Sequence, residues 1–201
     1  MNNIERAINN LREGRFVIIR DSEIEEEADL TIAAKHVDEK KMIFLLKYTC
    51  GQVCVPMNKT DINKIGLRKM INNGHSKEGR ICNFTIPVDS TDAKTGISAY
   101  DKYLTIRDLI SNKKRKLKSP GHTFPLIANE EGVLKRSGHT EASLDLVKLS
   151  KIKPEAAVIC ELMNRRTGKP MYKKDLEEFS KRYNIPIVDI KDLIEHRRKN
   201  E

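Results

Sequence analysis

Short continuous apolar runs alternate along this chain with segments whose apolar residues recur at helical spacing. That alternation most constrains what the chain can fold into. Phe16-Val17-Ile18-Ile19, Leu30 to Ala34, Gln52 to Pro56, Thr85 to Val88, Ala156 to Cys160 and Ile185 to Val188 read as strands or buried segments, being too short for helices. Between them Ile4, Ala7, Ile8 and Leu11 lie on one helical face, and Gly14 stands where a helix C-cap belongs. Residues 38–48, the second half of 96–110, 138–149, the Leu176-Phe179-Tyr183 segment and the C-terminal stretch from Leu193 read as further helices. The rhythm is irregular and no Ser- or Gly-rich linker interrupts it, so the expected fold is a single α+β (mixed α/β) domain over residues 1–201. Residues 58–80, with a turn at Asn72-Asn73-Gly74, and residues 111–121 read as mobile loops.

Composition narrows the function classes. With 38% hydrophobic and 33% charged residues over 201 positions, the chain suits a globular domain with a real core. No apolar stretch approaches the roughly 20 residues of a spanning helix, and the N-terminal segment lacks a signal-peptide core. These features predict a cytoplasmic protein with reduced thiols and no membrane partner. The net charge of +9 favours anionic partners. Aromatics are only 5% of the chain, and the run Lys113 to Lys118 lacks any accompanying recognition motif, so no nucleic-acid partner is expected. Cys50 and Cys54 are spaced like half a metal site, but no second close pair follows, which argues against structural zinc.

Several groups can carry chemistry. In Arg136-Ser137-Gly138-His139-Thr140-Glu141, Gly138 permits close backbone approach, Thr140 suits an N-cap, and Arg136 stands beside the helix start. This is the equipment of a phosphate site with an imidazole next to it, or of an ordinary capped helix with a surface histidine. The acidic stretch Asp21, Glu23, Glu25, Glu26, Glu27 and Asp29 is either a solvated loop or a source of oxygen ligands for a hard cation. In extended chain Glu25, Glu27 and Asp29 would share one face. Glu161 continues the apolar run ending at Cys160, where it either needs a buried partner or turns outward. His122, between Gly121 and Pro125, suggests a shaped loop. Cys54 reads most simply as a small core residue.

Taken together, Glu25-Glu26-Glu27-Ala28-Asp29, Gly51-Gln52-Val53-Cys54, Thr95-Gly96-Ile97-Ser98, Pro120-Gly121-His122-Thr123-Phe124-Pro125, Arg136 to Ala142 and Val158 to Asn164 resemble, in order and spacing, the 3,4-dihydroxy-2-butanone-4-phosphate synthases of riboflavin biosynthesis. The resemblance implies a homodimeric, Mg²⁺- or Mn²⁺-dependent lyase that turns ribulose 5-phosphate into 3,4-dihydroxy-2-butanone 4-phosphate and formate. It also implies no GTP cyclohydrolase II domain within these residues. By the same resemblance Glu25 and His139 are metal ligands that also face substrate. Arg136, Ser137, Gly138 and Thr140 bind it at the phosphate turn, and Asp29 and Glu161 are substrate-contacting, catalytic carboxylates. Glu27 acts in acid–base work or beside the metal, and Cys54, His122 and Thr95 line the site. The family pattern Arg-Glu-Asn-Glu-Gly-Asp is here Ile24-Glu25-Glu26-Glu27-Ala28-Asp29. The arginine replaced by Ile24 and the glycine replaced by Ala28 raise an alternative, a family member that binds a phosphosugar without turnover.

Overall fold

The structure, a computed structural model, describes residues 2–22, 27–72, 83–111 and 116–200. Ile24, Glu25, Cys82, the Asn73-Gly74 part of the expected turn and Lys113 to Arg115 lie outside the described residues.

The elements run α1 (Asn3–Arg12), β1 (Val17–Asp21), β2 (Glu27–Ala33), α2 (Glu39–Tyr48), β3 (Cys54–Asn58), α3 (Lys59–Lys64), β4 (Val88–Ser90), α4 (Ala99–Leu109), β5 (Leu117–Ala128), α5 (His139–Leu149), β6 (Ala157–Glu161), β7 (Met163–Asn164), β8 (Lys169–Pro170), α6 (Lys173–Tyr183), β9 (Ile187–Asp189) and α7 (Ile190–Asn200). Local chemistry sets many helix starts. Asn2 and Glu5 form a reciprocal capping box on α1, Asp38 accepts from Lys41 N at α2, and Ser98 accepts from Asp101 N at α4, each bond satisfying an otherwise unpaired N–H.

A seven-stranded mixed sheet of order β4-β5-β3-β6-β2-β1-β9 forms the centre. The pairs β1–β9 and β3–β5 are parallel, and β1–β2, β2–β6, β3–β6 and β4–β5 are antiparallel. Successive strand residues feed two cores. Ile18, Leu30, Ile32, Val158 and Cys160 pack with α2, α4 and α6 on one side, while Val17, Ile19, Ala157 and Ile159 pack with α1, α5 and α7 on the other. Burial on both faces is why these strands read as unbroken apolar runs. Leu30, Ile18 and Ile19 are fully buried, each removal from water contributing about 1.5–3 kcal/mol. The mixed α/β expectation holds. No helix among the described residues is long and apolar enough to cross a membrane.

Two expected loops are partly regular. Residues 59–64 form α3, a short helix that buries only Ile62. Residues 117–121 open β5, so Ser119-Pro120-Gly121 and His122 belong to a strand. Among the described residues this part pairs only with β4, across a register shift at Val88/Asp89, whereas Phe124 to Ala128 pair with β3. Proline and glycine are tolerated at such an irregularity.

The edge strand β9 is fastened to β1 by a two-pronged bond, with Arg20 Nε and Nη2 each 2.7 Å from an Asp189 oxygen. Burial works to raise the Asp189 pKa, but the Arg20 hydrogen bond and charge outweigh it and hold the carboxyl below its ordinary value. The stabilisation is therefore complete above the unfolded-state pKa of about 4 and is lost as the pH falls through the lower folded-state value. Arg20→Met is expected to lower urea stability by about 1–3 kcal/mol at neutral pH. Its deficit against the unsubstituted protein should vanish in acid. A deficit that persists unchanged below pH 3 would show that packing, not the ion pair, is responsible.

Candidate active site

The start of α5 is built around Gly138. It is the N-cap (φ −125°, ψ 162°) and brings no capping side chain. The expectation that Thr140 caps this helix is thus corrected: the cap lies two residues earlier, at Gly138, the helix begins at His139, and Thr140 lies in its first turn. An added Cβ at 138 would stand 2.5 Å from Arg136 Nη1, so the guanidinium could not keep its present place over the turn. That arginine is drawn back over the turn by Glu141, whose Oε2 accepts from Nη1 at 2.5 Å. The other Glu141 oxygen accepts from Asn129 N at 3.0 Å. Burial pushes the Glu141 pKa up, opposed by the Arg136 charge. With one edge committed to Glu141, Arg136 keeps its Nε–H buried without a hydrogen-bond partner among the described residues.

Around this turn lies a cleft of about 250 Å³, bounded by Glu27 and Asp29 of β2, Cys54 of β3, Ile159 of β6, and Arg136, Gly138, His139 and Thr140. Alternation along β2 sends Glu27 and Asp29 to the cleft while Ala28, 1% exposed, enters the opposite core. Glu161 sits directly across the β2–β6 pair from Asp29 but does not line the cleft, nor does Ser137. Cys54 is both things expected of it, a buried core residue and part of the cleft wall. Burial, the main cause, pushes its thiol pKa up.

His122 and Thr95 fall into a neighbouring cluster instead of the cleft wall. Asp89, 2% exposed, receives His122 N at 2.9 Å and His122 Nδ1 at 2.7 Å. The carboxylate can only accept when ionised, so it fixes the proton on Nδ1 and leaves Nε2 as the imidazole's basic nitrogen. Thr95 N and Gly96 N donate to Asp101 at 3.2 and 3.1 Å. Gly96, at φ +78°, passes so close to Asp89 that a Cβ would lie 2.0 Å from its Oδ2, which only glycine allows. Lys102 ties this cluster towards the cleft: it is 4% exposed and its Nζ donates to the His122 carbonyl at 2.8 Å. Burial lowers its pKa, and interactions with Asp89, Cys160 and Cys54 oppose that.

Sequence reasoning gave no role to Asn83, Phe84, Asp89, Asp101, Lys102 or Glu141. Asn83 and Phe84 line the cleft, yet neither type signals chemistry. Glu141 stands in the first turn of α5, where an acidic residue ordinarily reads as a helix-dipole partner. A cleft of about 350 Å³ between Phe16, Phe44 and Tyr183 is lined by no carboxylate or imidazole among the described residues.

The cleft lining thus joins Arg136 and the N-terminal turn of α5, His139 included, to the carboxylates Glu27 and Asp29 of β2. Such polarity suits a small molecule with an anionic group at one end and neutral oxygens at the other. The carboxylate and imidazole donors are of the types that suit Mg²⁺ or Mn²⁺. No group of three or more His, Cys, Asp or Glu that could hold a metal is present among the described residues, and Glu25 lies outside them.

The family model described as 3,4-dihydroxy-2-butanone 4-phosphate synthase matches residues 5–196. A 3,4-dihydroxy-2-butanone 4-phosphate synthase from Wolinella succinogenes is 39% identical over 204 residues, covering 100% of this chain and 58% of its own length. Among solved structures, RibBX, a two-domain 3,4-dihydroxy-2-butanone 4-phosphate synthase from A. baumannii, aligns with a TM-score of 0.91 at 33% identity, covering 100% of this chain and 59% of the other. A 3,4-dihydroxy-2-butanone 4-phosphate synthase in complex with two magnesium ions aligns with a TM-score of 0.89 at 31% identity, covering 99% and 98% of the two chains. The chain spans 58%, 37% and 50% of three curated relatives it matches.

Proposed function

The chain belongs to the 3,4-dihydroxy-2-butanone 4-phosphate synthase family, and on that premise we propose that it converts ribulose 5-phosphate to 3,4-dihydroxy-2-butanone 4-phosphate and formate in riboflavin biosynthesis. The observation that carries the reading is the buried Nε–H of Arg136, unpartnered among the described residues, in a cleft also lined by Glu27 and Asp29. A phosphoryl oxygen satisfies that donor, which otherwise costs free energy where it stands. The two products together contain every atom of the substrate, so no oxidant or second substrate is required.

Arg136, Gly138 and Thr140 hold the phosphate, with Ser137 completing the turn. Glu25 and His139 hold Mg²⁺ or Mn²⁺, both also facing the substrate. The bound cation supplies Lewis-acid stabilisation of negative charge on substrate oxygen. Asp29 receives the sugar hydroxyls, with Glu161, its neighbour across β2 and β6 just outside the cleft lining, beside it. Glu27 moves the proton next to the carbonyl, since enolisation needs a positioned base. His122, with its Nδ1 proton held by Asp89, offers Nε2 for proton exchange in the later steps; Cys54 shapes the cleft wall, and Thr95 contributes from the neighbouring Asp101 turn. The enzyme works as a cytoplasmic homodimer; Ile97 and Tyr100, 55% and 51% exposed beside the Thr95–Gly96 turn, offer a second subunit an apolar patch. Ala28 packs into the core away from the cleft, so its replacement of a family glycine gives no support to a binder without turnover.

Purified protein given ribulose 5-phosphate is expected to release formate with Mg²⁺ or Mn²⁺, and to stop on chelation and resume on metal addition. Formate release that ignores chelation would overturn the metal assignment.

A further inference from the structure

Cys50 and Cys160 have no part in this chemistry. Cys50 follows α2, and its N–H donates to the Glu161 carbonyl at 2.9 Å beside an antiparallel bridge between Thr49 and Leu162. This pairing lays Cys50 against the end of β6, with its Sγ 3.7 Å from Cys160 Sγ, although the two residues are 110 apart in sequence. Both are free thiols; Cys50 is exposed, and Cys160 is buried. We propose that Cys50 and Cys160 are an oxidation site, closing to a reversible intramolecular disulfide when the protein meets a hydroperoxide.

A disulfide bond is about 2.0 Å long, so the two sulfurs have to close in from 3.7 Å. The Cys160 thiol, hydrogen-bonded to Cys50, lowers the Cys50 pKa to about 6 against the opposing effects of burial and Asp29. The thiolate, the reactive form, is thus available at neutral pH. Its sulfur attacks the terminal peroxide oxygen; an S–O bond forms, the O–O bond breaks, and the displaced alkoxide or hydroxide leaves with a proton. Cys50 is then a sulfenic acid and the peroxide has been reduced. The Cys160 sulfur attacks that of Cys50, the S–O bond breaks, and hydroxide departs with the Cys160 proton as water. A small dithiol reverses the link by exchange. Cys54 does not compete: its thiol is 9% exposed, donates to the Gln52 carbonyl at 3.6 Å, and is pushed up in pKa by burial. The link would fasten the α2–β3 connection to β6, between Ile159 of the cleft wall and Glu161.

The test is brief hydrogen peroxide treatment of the reduced full chain in native buffer at neutral pH, followed by alkylation and peptide mapping. Two of the four thiols should be lost, with Cys50 and Cys160 found in one linked peptide pair, and dithiothreitol should restore both. Cys54→Ser and Cys82→Ser should keep the link. Cys160→Ser should abolish it and leave Cys50 trappable by dimedone as the sulfenic acid. The proposal is overturned if Cys50 links instead to Cys54, to Cys82 or to a second chain. It is equally overturned if Cys50 passes to the sulfinic acid unlinked while Cys160 remains alkylatable. Circular dichroism of each variant separates loss of the link from loss of the fold.

Discussion

Glu141→Ala is expected to cost about 2–4 kcal/mol of stability and to raise the KM for ribulose 5-phosphate about tenfold or more, because it strips two donors of one buried acceptor. Glu141 is 1% exposed. One oxygen holds Arg136 Nη1 at 2.5 Å and the other holds Asn129 N at 3.0 Å. Its loss leaves a guanidinium with a side chain only 23% exposed lacking its counter-charge, and a backbone N–H lacking its acceptor. Breaking a buried ion pair by removing one partner costs about 3–5 kcal/mol, reduced here because the arginine keeps some water. The KM effect comes from Arg136, which without its anchor no longer presents Nε–H in a fixed direction. Glu141→Gln retains an acceptor without the charge and should fall between the two proteins. Urea midpoints and steady-state kinetics read both effects. A midpoint change worth less than about 0.5 kcal/mol, the scale of ordinary surface substitutions, would mean that the clamp is not a structural element.

His139→Ala should behave oppositely, keeping the fold and losing the reaction. His139 is 8% exposed at the first position of α5 and lines the cleft, and alanine is a good helix former there. A stability change of only about 1 kcal/mol is expected, typical of a single substitution. Formate release should fall about a thousandfold or more, the scale seen when a principal stabiliser of transition-state charge is removed. Raising Mg²⁺ should recover part of the loss, since the proposed Glu25 and water ligands remain. Formate release within about tenfold of the unsubstituted enzyme, a far smaller loss than such a stabiliser commands, would remove His139 from the metal's ligands.

The central strands were legible because the sheet is covered on both faces, so Phe16 to Ile19 and Ala156 to Cys160 carry no polar interruptions. Alternation also placed Glu27 and Asp29 on one face correctly. What escaped depends on contacts distant in sequence or on backbone detail. The first half of β5 looked like a loop because Leu117 to Gly121 pair on one side only and bury little. Helix α3 has only Ile62 to bury, leaving no periodicity to read. Asp89 could not be linked to His122 across 33 residues. Nor could the Arg136–Glu141 clamp be read, since it depends on the guanidinium lying close over the Gly138 turn.

The central claim is that the Arg136 end of the cleft seats a phosphate while the acidic side acts on the sugar. Formate measured side by side from ribulose 5-phosphate and from unphosphorylated ribulose, both with Mg²⁺, tests this directly. The account predicts formate in equal amount to ribulose 5-phosphate consumed, and a kcat/KM for ribulose lower by at least about a hundredfold, the worth of a charge-assisted anion contact of roughly 3 kcal/mol. Equal rates from the two sugars, or no formate from either, would contradict it.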